Sequence, residues 1–149
     1  MDRGRHRAGD LVRATIAIAT PRVGHAFPTY VTPQVLVRAE LVDAQGQPVA
    51  GSVEERAIAR RVPLDLSREI ADTRIPPGGR FTLGYARRLE AAGLKLRVSV
   101  IVLPDEFYTR FFEALLAAGA GESEPEIRDA LEATRRSAYT LYVKELPLT

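Results

Sequence analysis

The chain has 149 residues, 46% of them hydrophobic and 27% charged, with a net charge of +2; that balance suits a globular domain with one core and excludes a disordered or fibrous chain. The basic residues, almost all arginine, are nearly matched by carboxylates along the whole length, so no basic face for nucleic acid stands out. The lack of cysteine removes disulfides, thiolate metal sites, covalent haem attachment and cysteine nucleophiles together.

Residues 1–9 are polar and arginine-rich, which reads as a flexible lead-in, and residues 10–149 read as a single domain. No signal-type apolar core follows Met1 to Asp10, and no apolar stretch approaches the ~20 residues that cross a bilayer. Val12, Ala14, Ile16 and Ile18 alternate with Arg13, Thr15, Ala17 and Ala19, the period-two signature of a strand with one apolar face. Pro21, Gly24, Pro28 and Pro33 then break the period, so this segment is a connection.

Val35, Val37, Ala39 and Leu41 resume the alternation, and Asp43-Ala44-Gln45-Gly46 follows as a turn, together a hairpin signal. The return from Val49 to Val62 is crowded with charge, as suits an exposed or twisted edge. Leu64 to Ile75 reads as a corner and a short strand, closed by Pro76-Pro77-Gly78-Gly79. Phe81, Leu83 and Tyr85 alternate next. The run Leu96, Val98, Val100, Val102 is the most β-prone stretch and predicts a central strand.

At Pro104-Asp105 the period lengthens to about 3.6. Asp105 is placed to cap a helix whose apolar stripe, Phe107, Phe111, Phe112, Leu115 and Leu116, is expected to attach it to a sheet. Gly119 to Gly121 stop that helix, and Ser123-Glu124-Pro125-Glu126 opens a second with a capping box, giving a helical hairpin at about 105–136. Tyr139, Leu141 and Val143 end the chain as a strand that must return to the sheet. Seven strand candidates with one helical hairpin before the last strand predict a mainly β, antiparallel, Ig-like two-sheet β-sandwich.

Chemistry is sparsely signalled. His6 lies in the lead-in and His25 in the proline-rich connection, too few for a transition-metal site without cysteine. No serine stands in a nucleophile-elbow context, and Pro77-Gly78-Gly79 leads into a strand where a phosphate cradle needs a helix. Asp43 and Asp72 read as turn or strand-edge carboxylates. No catalytic set or metal site can be nominated, and a binding module fits better than an enzyme. One such module is a generic Ig-like adhesion or carbohydrate-binding domain, which would use aromatics such as Tyr30 and Tyr85.

The stretch Val23-Gly24-His25-Ala26-Phe27-Pro28-Thr29-Tyr30, followed by the strand from Val35 and the Asp43 to Gly46 turn, resembles the cysteine-free β-sandwich region of some bacterial multihaem c-type cytochromes. There a Gly-His-x-Phe-Pro-Thr motif precedes a strand and an Asp-x-x-Gly turn, with a later proline-glycine turn like Ile75-Pro76-Pro77-Gly78. Tyr30 departs from the pattern, standing where the family often has glycine. The resemblance implies a periplasmic or extracellular accessory domain of an electron-transfer system. It would pack on haem-bearing segments of the same parent or of a partner cytochrome. Its binding loop would be Gly24, His25, Phe27, Pro28, Thr29 and Tyr30, with His25 a candidate axial ligand to a haem that the partner or parent chain carries.

Overall fold

The computed structural model describes residues 6–148; of the predicted lead-in, residues 1–5 lie outside this range. Its elements in chain order are β1 Leu11–Ala19, β2 Gln34–Val42, β3 Glu54–Ile58, β4 Arg60–Arg61, β5 Ala71–Asp72, β6 Arg80–Arg88 and β7 Lys95–Leu103. Helix α1 Glu106–Ala118, a 3₁₀ turn Gly121–Ser123, helix α2 Glu124–Arg136 and β8 Tyr139–Pro147 complete the chain. The protein is mainly β and antiparallel, with the helical pair before the last strand, as the periodicity predicts. A two-stranded sheet β1-β6 packs on a four-stranded sheet in the order β3-β2-β7-β8, and β4-β5 form a small separate ladder. The predicted central strand β7 does lie inside the larger sheet.

The two sheets meet because each supplies one apolar row. Val12, Ala14, Ile16 and Ile18 of β1 and Phe81, Leu83 and Tyr85 of β6 face Val35, Val37, Ala39 and Leu41 of β2 and Leu96, Val98 and Val100 of β7. Burying a side chain of this kind stabilises the fold by about 1.5–3 kcal/mol. The turns are those the residues call for. Asp43 Oδ1 accepts from the Gln45 and Gln47 amides at 2.9 and 2.8 Å, and Gly46 takes φ 79°.

The opposite face of the larger sheet is polar and tied by ions. Arg38 pairs with Glu55 at 2.6 Å, and Lys95 with Glu145 at 2.9 Å. Arg97 holds the buried Glu40 at 2.8 Å. A charge this buried is tolerable only when it is paired and hydrogen-bonded.

Two expectations are corrected. The helical pair does not lie over a sheet: no residue of α1 is buried, Phe111 is 37% exposed, and only Leu131 of α2 is buried. The two helices pack on each other, with Thr109 Oγ1 2.9 Å from Thr134 Oγ1. The reason is the short connections: β7 ends at Leu103 and β8 begins at Tyr139, so the pair leaves and re-enters at one end of the sheet. Neither predicted helix cap forms, since Asp105 and Ser123 make no side-chain capping bond. The last strand, β8, does return to the sheet beside β7 as predicted, with every one of its residues exposed. A register irregularity between Val100 and Ile101 shifts the strand, so Tyr142, Lys144 and Leu146 stand opposite Val100, Val98 and Leu96.

Candidate functional site: the His25 loop

The connection between β1 and β2 is irregular but well anchored. Phe27 exchanges two 2.8 Å backbone hydrogen bonds with Ile75. Arg74 donates to the Thr29 carbonyl at 3.2 Å, and its fork also grips both oxygens of Asp72 at 2.9 and 2.7 Å. That guanidinium holds the Asp72 carboxyl below its ordinary 3.8. Where the loop ends, the Phe107 amide at the start of α1 donates to the Thr32 carbonyl at 3.1 Å. The Phe27–Pro28 peptide is cis.

This anchoring divides the predicted binding residues in two. Pro28 is buried and Phe27 half-buried against the core, so both serve the fold. Gly24, His25, Thr29 and Tyr30 are exposed, Tyr30 to 72%. His25 and Thr29 are brought together, with Nδ1 3.0 Å from Thr29 Oγ1 and 3.1 Å from the Ala26 carbonyl. Both contacts engage Nδ1, and among the described residues Nε2 makes no hydrogen bond, which leaves it as the nitrogen turned to an incoming group. An exposed imidazole oriented through Nδ1 is the form in which histidine ligates a metal centre. Among the described residues, no three histidine or carboxylate side chains gather as a metal ion of this chain's own would require.

Tyr85 is not available as a surface aromatic. It is buried, its hydroxyl donates to the Ser52 carbonyl at 2.8 Å, and burial raises its phenol above the ordinary 10.0. Of the two aromatics offered as examples for a carbohydrate-binding face, Tyr30 is exposed and Tyr85 is not. Sequence reasoning also missed an apolar groove between β1 and β8, lined by Ile16, Ile18, Val98, Val100, Tyr142 and Leu146 with a volume of about 500 Å³. The sequence signal for it is faint: Lys144 stands among Leu141, Tyr142, Val143 and Leu146, with Glu145 beside it.

No family model matches the sequence, and no curated protein matches it. The fold does recur among solved structures. It is similar to part of a penta-heme cytochrome c552 from Thermochromatium tepidum, with a TM-score of 0.60 at 15% identity. The likeness takes in 96% of this chain and 38% of the cytochrome, so the chain corresponds to well under half of that protein.

Proposed function

We propose that the chain is a non-catalytic structural and interaction domain working with an extracytoplasmic multihaem electron-transfer protein. The observation that carries this reading is the recurrence of nearly its whole fold within a penta-heme cytochrome. The resemblance of the Gly24 to Tyr30 stretch to the motif of multihaem cytochromes points the same way. With no cysteine, the chain holds no haem covalently. Any haem at the His25 loop is therefore supplied by the rest of a longer parent or by a partner, and the loop's part is to present Nε2 of His25 with Thr29 and Tyr30 beside it. A periplasmic or extracellular setting follows from this reading, as c-type haem proteins are assembled there.

A ferric haem peptide bearing one histidine and an open axial position tests the ligand role. Titrated with the intact chain, it is expected to give a saturable Soret shift that His25→Ala abolishes and Tyr30→Gly preserves. An absent shift, or one unchanged by His25→Ala, removes His25 as a ligand.

A further inference from the structure

The two sheets are unequal, and the inequality leaves a gap of definite shape. β6 lies over β3, and β1 lies over β2 and β7; the smaller sheet has no third strand to cover β8. The gap is a groove running along β1. At one end its walls are Ile16, Ile18, Val100 and Tyr142. At the other a second hollow of about 520 Å³ continues it past Val12, Ala14, Leu96 and Leu146. The groove therefore follows the nine residues of β1, about 30 Å of extended chain, which suits an elongated occupant rather than a compact one.

One wall of this groove is a strand edge. β1 pairs only with β6 among the described residues, so alternate N–H and C=O groups along its other side have no ladder partner. The floor is apolar. The charged side chains lining the groove are basic, Lys144 and Arg13, while His6 at its far end stands 3.8 Å from Asp10. No carboxylate lies within ion-pairing distance of Lys144 among the described residues, since its neighbour Glu145 points to the other face and is held by Lys95.

We infer that this groove takes an extended segment of another polypeptide, which adds to β1 as a third strand. The segment carries apolar residues at every second position and a carboxylate that meets Lys144. Strand addition satisfies the open edge of β1 and covers Val98, Val100, Tyr142 and Leu146 with one row of side chains, completing the layer that the chain itself leaves short. A second copy of this chain fits poorly. Its β1, β6 and β8 edges bring Arg13, the β6 arginines or Lys144 against an already basic groove, and the carboxylates of its β3 edge, Glu54 and Glu55, are already paired with Arg87 and Arg38. The inference rests on the sandwich alone and stands or falls apart from the role of His25.

The probe is a fluorescein-labelled peptide as long as β1, alternating threonine and valine with glutamate in place of one valine, followed by anisotropy with the intact chain. Saturable binding is expected. Replacing one residue of each parity by proline deletes ladder donors and should weaken it about tenfold or more. Lys144→Glu should weaken the glutamate peptide and restore binding to a matching lysine peptide; this exposed substitution leaves the core intact. Three results overturn the inference: no saturable binding, equal binding of the proline peptide, which would make the groove a site for apolar molecules, or a dimer in sedimentation that Lys144→Glu dissociates, which would make the occupant a second copy.

Discussion

The β6 side of the sandwich and the β8 side use strands of nine residues each, yet one is closed and the other open. Leu83 of β6 is 1% exposed and Ile58 of β3 is wholly buried, whereas on the groove face of β8 Leu146 is 38% exposed and Tyr142 49%. Composition does not separate them, because both sides alternate apolar residues. Position does: β6 has a sheet beneath it, and β8 has no strand above it. A strand's apolar face contributes to stability only when a second layer removes it from water. The open side is thus the part of the fold with binding capacity to spare.

The same substitution made on both sides sharpens this contrast most. Leu83→Ala is expected to lower the unfolding free energy by about 2–5 kcal/mol, the cost of a cavity in a close-packed core. Leu146→Ala should cost less than about 1 kcal/mol, for a side chain already partly in water. Urea unfolding of the two variants measures both, and equal losses would show that the groove is closed in solution.

A smaller effect is expected at Tyr85, at the closed end. Tyr85→Phe removes the bond to the Ser52 carbonyl inside the core and should cost about 1–2 kcal/mol. Ser52 itself is fixed there by donating to the Val49 carbonyl at 2.7 Å. A neutral Tyr85→Phe would mean that water reaches this end as it does the groove.

The smallest effect concerns Asp72, which braces the His25 loop through Arg74. Its folded pKa lies below 3.8 because the Arg74 guanidinium stabilises the carboxylate. The unfolded chain therefore binds the proton first, and the stabilisation is complete above about pH 4 and lost as pH falls through the folded value. Asp72→Asn should flatten that acid limb of stability by less than about 1 kcal/mol, since the pair is partly exposed. An acid limb identical to that of the parent would show that Arg74 does not hold Asp72 in solution.

Much of the architecture was legible residue by residue. Period two located β1, β2, β6 and β7, the Asp43 and Pro76 turns supplied the reversals, and the change of period at Pro104 marked the helices. The candidate loop was legible as a motif. Its division into Phe27 and Pro28 facing inward and His25, Thr29 and Tyr30 facing outward was not, because that depends on the bridge to Ile75, far along the chain.

Local pattern determined which segments become strands and helices, since backbone sterics and side-chain period act over a few residues. Tertiary structure alone decided three things: which face of β8 turns inward, that the two helices pack on each other and not on a sheet, and that a groove opens beside β1. Each depends on pairing between distant segments. A single register irregularity opposite Val100 reverses the inward face of a strand, and the number of strands in the opposing layer decides whether that face is covered at all.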